Sequence, residues 1–407
     1  MADSSLCKDG KPLMKTAHIV HLSTYPPDDG RLFQKACKAE VAEGFRVTQI
    51  VCHDRDETVA GVTIVAVPKP KGRLLSMTSL PWKMYRHAMR RTADIYVLQH
   101  PDMIPAGLLL KLAGKKVIYE PRECYADKIP TMRWIPEPLR PFARAAFARY
   151  ERMTSALWDH VIVTDRHSAK TFAGRTVSVV PNYPLLIPVK HAPANPNGKR
   201  VLLYVGGLCD ERGLGVMLKI AESLQNCNVE LQLMGPCPYP GDEARIRKAP
   251  NVKYFGNQSL EAVYQRMATA DLGLLLLQPV PAYTYAGENT LKLFEYMWSS
   301  LPLVSSDFPN LRRIIGAAQC GICIDPCDAE QAAEAIMDLL GQPDVCKRMG
   351  ANGHRAVEEA YNWPAAWEVL RQVYANVLSG NRSSVPTPPL WDGEPADAVS
   401  CGTGSAA

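Results

Sequence analysis

The sequence predicts an α/β protein of two doubly wound domains, and three observations predict it. Apolar, strand-like runs alternate with stretches of helical spacing along most of the chain. The alternation stops at a polar, proline-rich segment, 188–199, and then restarts. The 407 residues divide there into two parts, each close to the roughly 150 to 200 residues of a single domain.

The elements follow in order. "AHIVHLS" at 17–23 reads as a strand, 30–45 carries helical spacing closed by Gly44, and "RVTQIVCH" at 46–53 is a second strand, together a β-α-β unit. Strand and helix then alternate through 93–100, 105–114, 115–120, 159–165 and 177–181. After the linker come strand 200–207, helix 213–225, strands 229–235 and 252–256, helix 259–269, strand 270–277 and helix 290–299. Strands 301–306 and 321–325 and helix 328–341 complete the second half. This reading gives a flexible N-terminus at 1–15, a first domain over 16–187, the linker, and a second domain over 200–361. A helix at 362–379 is expected to cross back to the first domain, and the Ser-, Pro-, Gly- and Ala-rich 380–407 to be a disordered tail.

Composition narrows the classes of function. No run approaches the roughly 18 apolar residues of a membrane span, and the N-terminus lacks the apolar core of a signal peptide, so a cytoplasmic protein is expected. Twelve cysteines scattered through ordinary sequence suit reduced thiols. Cys320-Gly-Ile-Cys323, with Cys327 nearby, has no second ligand pair and reads as a turn rather than a zinc site. Residues 1–190 hold 29 Lys and Arg against 18 Asp and Glu, whereas the remainder is acidic. That asymmetry fits either an anionic partner of the first half or uneven surface decoration. No nucleic-acid partner is expected.

Ligands of doubly wound sheets sit beyond the C-terminal ends of the strands, so the chemistry belongs there. Strand 200–207 ends in Gly206-Gly207, with Arg212 just before the next helix. Close backbone approach, exposed N–H groups, a helix N-terminus and a guanidinium together suit a phosphate. A second such place is "GENTLKLFEYM" at 287–297, where Asn289 or Thr290 is the N-cap and Lys292 lies in the first helical turn. A cation there opposes the helix dipole unless an anion is bound. Glu295 follows one turn after Leu291 and suits ribose hydroxyls. Two phosphate-binding helix ends on one domain imply a nucleotide diphosphate.

The second half resembles family-4 retaining glycosyltransferases of the GT-B fold, two Rossmann-like domains facing across a cleft. The resemblance rests on "LLYVGGLCDERGL", "VKYFGNQSLEAVYQRMATADLGLLLL", "LKLFEYMWSSLPLVSSDFP", "CGICIDPCDAEQAAEAI" and "RMGANGHRAVEEAYNW". The first half is similar to the members that build bacterial surface polysaccharides, through "DDGRLFQKACKAEVAEGFRVTQI", "IYVLQHPDMIPAGLLLKLAGKKVIYEPREC", "DHVIVTDRHSAKTF" and "VVPNYP". It implies that Arg212 and Lys292 hold the donor diphosphate and act in catalysis, that Gly206 and Gly207 approach it, and that Glu295 binds the ribose. The base is implied to sit near Gly235 and Phe255. His100, Asp29 and Glu123 are expected in loops where they orient the acceptor, His100 and Glu123 as candidate catalytic groups, with Gly30, Arg31 and Arg122 on the same acceptor side.

Three positions depart from the family pattern. Its two glutamates lie eight positions apart, but the position eight before Glu295 is Gly287, and Glu288 stands one place late. Gln99 and Arg122 stand where the related sequences carry histidines. Arg122 cannot serve as a general base, but it could stabilise developing phosphate charge. The expected reaction is retaining transfer from a nucleotide diphosphate sugar to a glycan or lipid-linked acceptor, without metal or cofactor, since no Asp-x-Asp follows a strand. The alternatives are a nucleotide-sugar epimerase, against which the scarcity of acid/base pairs in the second-domain loops weighs, and a glycosyltransferase-like binding protein without turnover.

One further stripe stands out. Leu139, Phe142, Ala143, Ala146, Phe147, Tyr150, Met153 and Leu157 recur at helical spacing, flanked by Arg140, Arg144 and Arg152. It suits either packing within its own domain or peripheral contact with anionic lipid at the inner membrane face.

Overall fold

The computed structural model describes residues 17–132, 134–189 and 198–391, which form two compact units. The expected N-terminal segment 1–15, the linker core 190–197 and the tail from 392 lie outside the described residues. The first unit takes the chain up to Asn182 and then Trp363–Pro388; the second takes Tyr183–Asn362 and the residues from Pro389.

Unit 1 contains β1 (His18–Ser23), α1 (Lys38–Glu43), β2 (Arg46–Cys52), β3 (Glu57–Val59), β4 (Val62–Val67), α2 (Arg73–Met89), β5 (Ile95–Leu98), α3 (Ile104–Leu112), β6 (Val117–Tyr119), α4 (Tyr125–Lys128), α5 (Arg140–Thr154), β7 (His160–Val163), α6 (Arg166–Thr171) and β8 (Val177–Val179). The sheet order is β3-β4-β2-β1-β5-β6-β7-β8, parallel except for the β3-β4 pair. Its central strands are buried on both faces: every residue of β1 is buried, His18, His21 and Ser23 included, as helices on both sides of a parallel sheet demand. A π-helical stretch, Leu32–Cys37, precedes α1, and Asp29 Oδ1 accepts the amides of Arg31 at 3.1 Å and Leu32 at 2.7 Å at its start.

Unit 2 contains β9 (Arg200–Val205), α7 (Leu214–Ser223), β10 (Val229–Met234), α8 (Pro240–Lys248), β11 (Val252–Tyr254), α9 (Leu260–Met267), β12 (Leu272–Leu275), α10 (Leu291–Trp298), β13 (Leu303–Ser306), α11 (Pro309–Ala318), β14 (Gly321–Ile324), α12 (Ala329–Leu340) and α13 (Pro343–Glu359). Its all-parallel sheet has the order β11-β10-β9-β12-β13-β14. The order reverses beside β9, so the loop after β9 opens at the switch point between β10 and β12.

The last helix, α14 (Trp363–Ser379), belongs to unit 1. It buries Trp363, Ala366, Val369, Leu370, Val373, Tyr374 and Val377 at helical spacing. Tyr374 Oη donates to Glu40 Oε1 across 2.7 Å.

Several expectations need correction. The linker was expected to start at 188, but unit 2 already begins at Tyr183, whose ring packs on Phe294 at 4.8 Å and Tyr361 at 5.5 Å. Ile187 is held too, its carbonyl accepting from Trp298 Nε1 at 2.6 Å. The segment 380–391, expected as tail, is fixed by hydrogen bonds: Val385 N–H donates to Ser178 Oγ and Val177 N–H to Ser384 Oγ, covering the edge strand β8. Trp391 is buried in unit 2, its indole N–H donating to Glu359 at 2.7 Å. Cys320 is buried in the turn before β14 and Cys327 is exposed.

Candidate functional site

The site of unit 2 is built on the junction of β9 and α10. Tyr296, in the middle of α10, accepts the Val205 amide at 2.9 Å, which ties the end of β9 to the helix. One turn earlier on the same face, Lys292 reaches over the turn that follows β9. Its ammonium donates to Tyr204 Oη at 2.9 Å and lies 4.0 Å from that ring's centre. Tyr204 Oη in turn donates to the Gly207 carbonyl at 3.0 Å. Gly206 has φ of 136°, a conformation that L side chains rarely adopt, and a Cβ there would stand 2.5 Å from Lys292 Nζ. Gly207 faces the other cation: a Cβ on it would lie 3.6 Å from Arg212 Nη1.

Arg212 closes the 3-10 turn Asp210–Arg212 that leads into α7. Its Nε donates to Tyr283 Oη at 3.0 Å, and the guanidinium lies over that ring. Two cations thus converge on one diglycine turn. Burial pushes the Lys292 pKa well below the usual lysine range, and the charge of Arg212 adds to the shift. Without an anion the pair is electrostatically uncomfortable, which is the property of a phosphate site. The mouth of α10 has the same character: Thr290 takes the N-cap position without a side-chain cap, and no acidic residue stands in the first turn. The Leu293 N–H is taken by the Thr290 carbonyl at 3.0 Å, and the N–H groups ahead of it face the mouth of the helix, where an anion could accept them.

The other expected residues fall around this centre. Asn289 does not cap the helix; its Oδ1 accepts the Gly287 amide at 3.1 Å. Gly235 follows β10 and sits against the carbonyl of Gly206, so the two loops are in contact. Phe255 follows β11, its ring under the Arg266 guanidinium at 4.1 Å. Glu295 lies on α10 beside Tyr264 of α9, whose phenol is held protonated by burial and by that carboxylate. Glu288 is buried, 3% exposed. The position of the missing glutamate has no room for one: a Cβ on Gly287 would stand 2.8 Å from Asn310 Cβ.

In unit 1 the expected residues form a polar cluster in which most donors are already engaged. Arg31 is 6% exposed; it pairs with Glu120 at 2.9 Å and donates to the Val180 and Pro181 carbonyls. It is a strut between β8 and the rest of the unit rather than a group presented to a ligand. Arg122 pairs with Asp29 at 2.7 Å and stacks on the Tyr25 ring at 3.8 Å. Its Nη2 donates to Gln99 Oε1 at 3.3 Å, and Gln99 Nε2 donates to Glu120 at 2.8 Å. The two departures from the family pattern therefore bond to each other. His100 Nδ1 accepts the Asp102 amide, capping a short turn, with its ring edge-on to Tyr25 and Tyr125. Gly30 lies in the loop before the π-helical stretch. Glu123 pairs with Lys128. Among the described residues, His21, Cys37 and Glu40 are one buried group of metal-ligating type, and His21 Nε2 is bonded to both Glu40 oxygens.

Sequence reasoning missed the three tyrosines that organise the unit 2 site. Tyr204 and Tyr296 read as core residues of a strand and a helix, which they are by burial. Only their hydroxyls, at the sheet's C-terminal edge, mark them as polar scaffolding.

The fold and site define a two-unit α/β protein with two basic side chains gathered on the turn at a strand end. Residues 189–356, which lie in the second unit, match the family described as "Glycosyl transferases group 1". The chain is 25% identical over 200 residues to a phosphatidyl-myo-inositol mannosyltransferase of Mycobacterium leprae, covering 47% of this chain and 50% of that protein. It thus spans about half the length of the curated relatives it matches. Among solved structures, sucrose-phosphate synthase from Thermosynechococcus elongatus shares the fold with a TM-score of 0.74 at 18% identity, over 90% of this chain and 100% of that one. HepE of Anabaena, in complex with UDP and glucose, does so with a TM-score of 0.64 at 14% identity, over 89% and 99%. The fold is GT-B. Among the described residues no helix is long and apolar enough to cross a membrane.

Proposed function

We propose that the protein is a family-4 type glycosyltransferase that moves a sugar from a nucleotide diphosphate sugar to an acceptor hydroxyl, with retention and without metal. The observation that carries this reading is the convergence of Lys292 and Arg212 on the Gly206-Gly207 turn. Breaking a sugar–diphosphate bond builds oxocarbenium character on the sugar and negative charge on the departing phosphate. Cations and N–H dipoles fixed where that charge develops lower the barrier. Lys292, Arg212 and the uncapped start of α10 supply both, so the diphosphate would leave without a bridging ion. Glu295 is assigned the ribose, and Gly235 and Phe255 the base. The acceptor is a glycan or a lipid-linked sugar in the synthesis of a surface polysaccharide or glycoconjugate, met from the cytoplasmic side with peripheral membrane contact. The names of the relatives, one a mannosyltransferase and another an alpha-D-kanosaminyltransferase, support the reaction class. The complex of HepE, a protein of the same fold, with UDP and glucose supports the donor class.

Incubation with a panel of nucleotide sugars tests it. Free nucleotide diphosphate that accumulates only when acceptor is present is the expected result. An altered donor sugar without acceptor would make the protein an epimerase, and binding without turnover would make it a non-catalytic relative.

A further inference from the structure

We infer that the outward face of α5 is a docking surface for an anionic lipid bilayer; this rests on the reading of a peripheral enzyme given above and names the face and lipid chemistry it lacked. A helix on the surface of a globular unit ordinarily turns its apolar stripe inward. Helix α5 does the reverse. The residues it buries are Glu151 and Thr154. Glu151, 2% exposed, accepts from Tyr119 Oη at 2.6 Å, which ties the inward face to β6, while the Thr154 hydroxyl turns back onto its own helix at the Tyr150 carbonyl, 3.0 Å away. Ala143 and Phe147 are half-buried, but the other large apolar residues point out: Phe142 is 72% exposed, Met153 61%, and Leu139 and Leu157 at its two ends 55% and 50%. Ala146 and Tyr150 fill the stripe between them, so it runs unbroken along the helix. Such a continuous exposed patch marks an interaction surface rather than scattered surface apolars.

Charge selects the occupant. Arg140 and Arg144 are engaged within the unit, Arg140 on the Ile135 and Pro130 carbonyls and Arg144 on Asp127. Arg149 and Arg152 stand exposed beside the stripe, and the one acid of the helix is the inward Glu151. A second copy of this chain packed face to face would set these arginines against each other with no carboxylate from α5 to answer them. A layer of anionic headgroups over an apolar interior matches both features: Phe142 and Met153 enter the acyl boundary while Arg149 and Arg152 meet phosphates.

The test is co-sedimentation of the full chain with vesicles of phosphatidylglycerol and phosphatidylcholine, compared with phosphatidylcholine alone. The wild type should bind the anionic vesicles and lose most of that binding at high salt. The pairs Phe142→Asp with Met153→Asp, and Arg149→Glu with Arg152→Glu, should each lower the partition about tenfold or more. Because all four side chains are exposed, thermal unfolding should match the wild type. Wild type that ignores anionic vesicles, variants that bind as it does, or a dimer in solution that the Phe142→Asp pair dissolves would each overturn the proposal. Calorimetry with UDP on the same proteins keeps the two readings separate. Retained UDP binding with lost vesicle binding locates the effect in α5, and absent UDP binding in the wild type would defeat the donor assignment while the vesicle partition still decides this one.

Discussion

Lys292 and Tyr204 form a closed arrangement: the ammonium donates to the phenol oxygen at 2.9 Å while lying 4.0 Å from the ring centre of the same residue. The lysine is thus parked over the turn it is meant to serve. Its pKa is held down by burial and by Arg212. A bound diphosphate favours the charged form and reverses the shift, so binding takes up a proton at pH values above the lowered pKa, and affinity falls as pH rises. Calorimetry of UDP binding in buffers of different ionisation enthalpy should show that uptake in the wild type and none in Lys292→Met.

Lys292→Ala should lower the rate of donor turnover by about 100-fold or more, since the proposed role puts the cation where charge develops. Far-UV circular dichroism should stay unchanged, because the side chain bonds to the Tyr204 hydroxyl and to no backbone group of a strand. Normal turnover in that variant would remove α10 from the site.

Tyr204→Phe deletes the acceptor of Lys292 and the donor to the Gly207 carbonyl while keeping the ring in the core. The expected loss is about 1 to 2 kcal/mol of nucleotide affinity, roughly tenfold, with a smaller effect on folding. Equilibrium titration with UDP measures it.

Gly206→Ala places a methyl group 2.5 Å from Lys292 Nζ at a φ of 136°. Strain of about 1 to 3 kcal/mol should appear in thermal unfolding, with loss of nucleotide binding. Adding Lys292→Ala relieves the clash and leaves the backbone strain, so the two effects on stability should fall short of their sum.

Unit 1 has its own titration. Burial raises the Glu151 carboxyl to about 7, opposed by the Tyr119 hydrogen bond. The folded state therefore favours the protonated form. The contribution to stability is full below the unfolded value near 4.5 and is lost as pH rises through 7. The loss amounts to at most about 3 kcal/mol. Glu151→Gln, which keeps an acceptor for Tyr119, should flatten the melting temperature between pH 4.5 and 8 relative to the wild type.

Much of the fold was legible because a parallel sheet buries both faces of its strands. Runs such as "RVLLYV" and "VELQLM" announce themselves by apolarity alone, and the structure gives them as β9 and β10. Helix α2 escaped notice because Pro81 stands inside it, and the β3-β4 hairpin because three residues of partly exposed strand carry little pattern. In the site, Arg212, Lys292 and the glycines were readable from their places after strands. What could not be read were contacts made at long sequence separation. Tyr283 under Arg212, Glu120 against Arg31 and Asn310 against Gly287 depend on which loops the sheet order brings together. Arg31 was assigned to the acceptor for lack of that information. The stripe on α5 was visible, but which way it faced was set by Glu151, the one acid in a helix rich in arginine and alanine.

The return of α14 to unit 1 bears on how the chain matures. Glu40 receives the Tyr374 hydroxyl, and the Phe45 ring meets the Tyr374 ring edge-on at 6.0 Å. The unit translated first thus waits for residues made some 180 positions after its Asn182 boundary. A fragment cut at that boundary would leave the ribosome with an open flank where seven apolar or aromatic side chains of α14 belong. Only when the second unit has emerged does the first acquire its last helix, so completion runs opposite to synthesis.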